Sequence, residues 1–250
     1  MGQSEEMTFW DHLDDLRKSI IHIVIAIVSV AVVLFCFKDF LFDKVILAPA
    51  GDGFFLYRLL GTEMSLSLVN IEVAAQFLIH MKVTLICALI LTFPYLIFKV
   101  WQFIMPALYE NEKKAVRGAF AFSSVLFYIG LAVGYFVIFP LMLHFFAGYQ
   151  VSPDVENTFS LTSYISLLTS MVLTFGIVFE FPTVIAALSA MGIVTKENLR
   201  RLRKYAFCIT LVLSAVITPS GDPFSMLITA LPLYLLYEFS ILICRSRKQE

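Results

Sequence analysis

Long apolar stretches separated by short polar segments set the rhythm of this chain. No charged residue occurs from Ser19 to Phe37, from Gly118 to Pro153, or from Asn157 to Phe179. A helix rises ~1.5 Å per residue and a bilayer's hydrocarbon core is ~30 Å thick, so stretches of about 20 apolar residues are long enough to cross it. Six spans are predicted on this basis, at about 19–37, 76–98, 118–140, 161–190, 205–218 and 224–243. The expected fold class is therefore all-α, a single polytopic membrane domain. The residues between the first two spans, with Pro49, Gly51, Gly53 and Gly61, read as an external loop with short helical pieces. The last two apolar runs are parted by Pro219, Ser220, Gly221, Asp222 and Pro223, which no continuous helix tolerates. The run from Tyr205 to Gly221 reaches only about 25 Å if wholly helical, short for the bilayer. Gly130 and Gly134 have the GxxxG spacing that permits close helix approach.

Charge gives the spans a direction. Of 18 Lys and Arg residues, 14 fall in the N-terminal segment, the 99–117 loop, the 192–204 loop and the tail. The positive-inside rule then puts both termini, including the tail 244–250, in the cytoplasm. Composition agrees with a membrane protein, with 60% hydrophobic and 15% charged residues. The net charge of −1 offers no general attraction to nucleic acid. Glu5, Glu6, Asp11, Asp14 and Asp15 make the start of the chain too acidic for a cleavable signal, so the first span is expected to be a permanent anchor.

Few residues carry candidate chemistry. Residues 1–18 are expected to form a cytoplasmic amphipathic helix, with apolar positions 9, 13, 16 and 20 on one side. Asp11, Asp14 and Asp15 share its polar side, where a carboxylate cluster suits guanidinium ligands; the same acids also suit a helix N-terminus. The 99–117 loop combines aromatic residues with Glu110 and Glu112 on the same side of the membrane. Lys82 lies in the second span, as a snorkelling residue or one that faces the bundle. Glu180 is the only charged residue between Asn157 and Thr195, and an ionisable group in a span must pair, face water or stay protonated. The four histidines are scattered, the four cysteines lie in or beside apolar runs, and neither metal-ligand spacing nor an enzyme motif is present. No cofactor, metal or catalytic residue is expected. A small-solute transporter coupled through Glu180 and Lys82 is the competing reading.

Several motifs fall together in one family. His12-Leu13-Asp14-Asp15-Leu16-Arg17-Lys18, Trp101-x-Phe103-x-x-Pro106-x-Leu108-x-x-x-Glu112, Phe127-Tyr128-x-Gly130 with Tyr135-Phe136, Phe175-Gly176 with Phe179-Glu180-x-Pro182, and Thr218-Pro219 with Asp222 resemble the TatC subunit of the twin-arginine protein translocase. The resemblance runs from about residue 8 to 243. It implies a multi-pass protein of the cytoplasmic (inner) membrane that binds twin-arginine signal peptides of folded cargo. Single-span partners of the TatA and TatB type, an oligomeric complex and the proton-motive force are implied with it. Carried over, signal-peptide binding would centre on Asp15 and Glu112, with Phe103 lining the site and Arg17 matching the motif arginine. Pro49, Tyr135, Glu180 and Asp222 match further functional positions. Two departures stand out: position 15 is Asp where the family usually has Glu, which leaves Asp14 or Asp11 as alternative arginine contacts, and the turn at 218–223 is longer than the family's usual one.

Overall fold

A computed structural model describes residues 9–51, 53–62, 64, 66–104, 110–155, 157–218 and 221–244; within these, the side chains of 9–12, 110–117, 119 and 121 are not described. Among the described residues, ten α-helices follow one another: α1 (Phe9–Cys36), α2 (Phe55–Leu60), α3 (Ala75–Ile104), α4 (Glu110–Val133), α5 (Phe139–Gly148), α6 (Leu161–Val178), α7 (Phe181–Ala190), α8 (Lys196–Arg201), α9 (Arg203–Ile217) and α10 (Pro223–Ile243). From Phe9 on, the expected amphipathic stretch and the first apolar stretch are one uninterrupted helix, α1; residues 1–8 of that expectation lie outside the described residues. One two-residue parallel ladder, β1 (Leu68–Val69) against β2 (Phe159–Ser160), is the only sheet among the described residues.

Five segments of the described chain are helical, long and apolar enough to cross a membrane: Leu13–Cys36, Ala75–Ile104, Phe122–Gly148, Leu161–Ala190 and Pro223–Ile243. The protein is polytopic. Helix α9, with 15 residues, reaches only about 22 Å, because Leu202 interrupts the helix before it and Thr218 turns extended after it.

Ring contacts fix the directions of the helices. Phe35 near the end of α1 stacks on His80 near the start of α3 at 4.0 Å, and Phe93 of α3 stacks on Phe127 of α4 at 3.5 Å. Trp101 meets Phe120 at 5.4 Å. Neighbours therefore run antiparallel, and the start of α1, the end of α3, the start of α4, helix α8 and the end of α10 share one end of the bundle. That end, which holds most of the cations, is called the basic end below. The opposite end carries the long loops and is called the capped end.

Prolines shape the long helices through the hydrogen bonds they delete. Pro94 inside α3 has no N–H for the Ile90 carbonyl; the Tyr128 hydroxyl of α4 donates to that oxygen instead, at 3.0 Å. Pro140 follows a wide π-helical turn, Gly134–Ile138, that joins α4 to α5. Helices α4 and α6 pack backbone to backbone. A Cβ on Gly130 would collide with the Phe175 carbonyl and the Phe179 side chain, and one on Gly176 would lie 2.9 Å from Leu131 and Phe127. The GxxxG spacing is used for this approach, since a Cβ on Gly134 would lie 3.1 Å from Val172 and Phe175.

Candidate functional site

The first candidate lies at the basic end. Asp14, Asp15, Arg17 and Lys18 are exposed on α1. Asp14 and Lys18, one turn apart, form an ion pair at 3.2 Å, and the His22 ring Nδ1 donates to the Lys18 carbonyl at 2.7 Å. Asp14 is thus engaged on its own helix. Phe103 is half-buried in the last turn of α3, and the Trp101–Phe120 contact holds that turn beside α4. Glu112 belongs to the first turn of α4, where the helix dipole favours an acid; its side chain lies outside the described residues, as does that of Asp11. The fold brings Asp15, Arg17 and Phe103 to the same end as the start of α4.

Glu180 stands where the fourth apolar stretch breaks. Helix α6 stops at Val178, α7 starts at Phe181, and Pro182 sits at the second position of α7, where its missing N–H breaks no hydrogen bond. The break turns Glu180 toward α4, and the buried Ser123 hydroxyl donates to Oε2 at 2.5 Å. The other oxygen, Oε1, is buried without a hydrogen bond; the Thr183 hydroxyl is close but outside bonding geometry and is likewise unpartnered. Thr183 lines a cavity of about 540 Å³ between α4, α7 and α10, whose walls include Phe122, Leu126, Ala186 and Phe239. A carboxyl group with one satisfied and one unsatisfied oxygen, beside an apolar cavity, is equipped to accept a hydrogen bond from outside its own chain.

The remaining family-matched positions are structural at first contact. At the capped end a π-helical turn, Phe40–Ile46, runs into a 3₁₀ turn, Ala48–Ala50. The C-terminal carbonyls of such turns lack partners within the helix. Three tyrosines supply donors: Tyr135 to Val45 at 2.5 Å, Tyr164 to Ile46 at 2.8 Å, and Tyr57 to Pro49 at 3.0 Å. Tyr57 is fully buried, and burial pushes its phenol far above the usual range, so it stays a donor. Pro49 and Tyr135 therefore meet in one cap. Asp222 accepts from the Ser225 N–H at 2.8 Å and caps the N-terminus of α10.

Lys82 is exposed on α3 and donates to the Ser166 hydroxyl of α6 at 3.4 Å, so it faces the bundle. Among the described residues, no group of three His, Cys, Asp or Glu side chains gathers to hold a metal. Ser123, Thr183, Tyr57 and Tyr164 escape a reading of the sequence. Ser123 is one of few polar residues in its run, which is a weak signal; the tyrosines have none, because their partners are backbone oxygens up to 118 residues away.

Comparison with known proteins fits this arrangement. The family described as TatC, Sec-independent protein translocase protein, matches residues 11–232. A Sec-independent protein translocase protein TatC of Blattabacterium sp. subsp. Periplaneta americana (strain BPLAN) is 36% identical over 257 residues, covering 97% of this chain and 96% of the relative. That of Escherichia coli (strain K12) is 35% identical over 239 residues, covering 94% and 86%. A crystal structure of the twin arginine translocase receptor TatC in DDM superposes with a TM-score of 0.77 at 31% identity, covering 94% of this chain and 99% of that one.

Proposed function

The chain belongs to the TatC family of Sec-independent protein translocase proteins, and from that premise we propose that it is the receptor subunit of a twin-arginine translocase, an integral protein of the cytoplasmic membrane. It is a transport protein rather than a catalyst, and it works in a complex with other Tat components. The finer reading is that its basic end faces the cytoplasm, that α9 completes a set of six spans, and that twin-arginine signal peptides of folded cargo dock on Asp15 and Glu112. Phe103 lines that site and Arg17 orders it. Partners of the single-span TatA and TatB type join it in an oligomer, and the proton-motive force drives transport. Pro49, Tyr135, Glu180 and Asp222 support the assembly rather than the docking, with Glu180 offering its free oxygen to a partner helix.

One observation carries the docking site: Asp15 is exposed at the basic end while its neighbour Asp14 is paired with Lys18. This favours Asp15 over Asp14 as the arginine acceptor. Its side chain is one methylene shorter than Glu, so the ligand must approach α1 closely. Each guanidinium–carboxylate pair contributes ~1–3 kcal/mol if partly desolvated and less if fully exposed, so two pairs acting together are needed for a useful affinity. Two also discriminate arginine from lysine better than one, because each uses the planar fork.

The test is photocrosslinking of a twin-arginine signal peptide to the protein in membranes. Asp15→Ala with Glu112→Ala is expected to abolish the crosslink while the protein still inserts, and Asp15→Glu to retain it. An undiminished crosslink in the double variant would remove the site assignment.

A further inference from the structure

The connection between α7 and α9 holds a feature that signal-peptide docking does not use. Helix α8 is capped by Thr195, whose hydroxyl accepts from the Asn198 N–H at 3.4 Å, and it is pinned to α10 by the Tyr237 hydroxyl, which donates to the Leu199 carbonyl at 2.6 Å. The chain then breaks at Leu202 and restarts as α9. The break opens a notch of about 520 Å³ lined by Asn198, Arg201, Leu202, Lys204 and Tyr205. Lys204 lies 5.1 Å above the Tyr205 ring.

The charges around the notch are sorted. Arg203 points away to Glu238, at 2.5 Å, and the Tyr234 hydroxyl donates to the same carboxylate at 3.2 Å. Glu238 is therefore occupied, and among the described residues no carboxylate lines the notch; Glu197, in the first turn of α8, is outside its lining. Arg201 and Lys204 converge there with the Asn198 amide and the Tyr205 hydroxyl as further hydrogen-bonding groups. Below it, one side of α9 is apolar and outward-facing, with Tyr205, Ile209, Val212 and Val216 on a shared helix face and each more than half exposed. A cationic notch thus sits at the head of an exposed apolar strip on α9.

We propose that this notch binds the headgroup of an anionic phospholipid, with the phosphodiester between Arg201 and Lys204, Asn198 and Tyr205 on the polar headgroup, and the acyl chains along α9. Basic pockets beside spanning helices recognise such headgroups through charge and hydrogen bonding together. The apolar strip distinguishes a lipid from a free phosphate, which has no use for it. The inference rests on the basic end facing the anionic leaflet, and its test reads lipid rather than transport, so the two readings fail separately.

The full-length protein is reconstituted in equimolar phosphatidylglycerol and phosphatidylcholine and extracted in mild detergent, and retained lipid is counted by mass spectrometry. The wild type is expected to retain phosphatidylglycerol in excess. Each cation near an anionic surface is worth roughly fivefold in partitioning, so Arg201→Gln with Lys204→Gln should lower that excess about 25-fold, and Lys204→Gln alone about fivefold should the double variant fail to fold. Arg200→Gln, an exposed cation outside the notch, should leave it unchanged. The proposal is overturned if Arg200→Gln lowers retention as much as Lys204→Gln, if the notch variants lose nothing, or if inorganic phosphate strips the lipid.

Discussion

At the capped end, polar groups are buried and paired across the fold; on the stretch of α1 at the basic end they are exposed and paired along the helix itself. Tyr57, Tyr135 and Tyr164 reach from three elements to three carbonyls of one short loop segment, and β1 joins β2 across 91 residues of sequence. Asp14 and Lys18, by contrast, are a surface pair on one turn, with more than half of each side chain exposed. Buried hydrogen bonds are expensive to leave unmade, whereas exposed ion pairs contribute little. The difference teaches that the capped end holds helices in place, and that the exposed acids of α1 at the basic end make no contact on which the packing of the helices depends. The docking site proposed there would sit where losing a contact does not unfold the protein.

Substitutions can break this contrast, and they rank by how deeply the altered group is packed. Gly130→Leu places a side chain against the Phe175 backbone and Phe179, and overpacking on that scale is expected to remove about 3 kcal/mol or to prevent accumulation in the membrane; thermal unfolding in detergent measures it. Tyr164→Phe leaves the buried Ile46 carbonyl without its donor and should lower stability by about 2 kcal/mol in the same assay. Tyr128→Phe strips the side-chain donor from the carbonyl freed by Pro94, but at a more exposed position, so about 1 kcal/mol is expected. Asp14→Ala at the basic end should change stability by less than about 0.5 kcal/mol. If Asp14→Ala proved as damaging as Tyr164→Phe, the division between a supporting end and a binding end would be lost.

Glu180 belongs to neither region and shows where reading a sequence stops. Its isolation in an apolar run marks it at once as a group that needs a partner. That the partner is Ser123, 57 residues away, follows only from the close approach of α4 and α6 at Gly130 and Gly176. Pro182 is likewise visible in the sequence, yet whether it bends a helix or starts one depends on the break at Phe179 and Glu180. Pro49 and Tyr135 are matched to a family by motif, and their shared cap appears only in three dimensions. The candidate docking residues Asp15 and Glu112 are likewise matched by motif; the residues alone offer a wider set of acids, Asp11, Asp14, Asp15, Glu110 and Glu112, in two segments expected on one side of the membrane.

The sequence by itself determined the apolar segments, the basic end and the family, because hydropathy, charge bias and motif spacing are properties of the linear chain and the bilayer reads them segment by segment. Only the tertiary structure decided which helices touch at glycine, which carbonyls the tyrosines satisfy, that α9 starts at a break after Leu202, and that Asp14 is engaged while Asp15 stands exposed. Those outcomes depend on helix register and side-chain reach. A rotation of one residue, about 100° on a helix, would turn Ser123 away from Glu180 without changing the pattern of apolar residues at all.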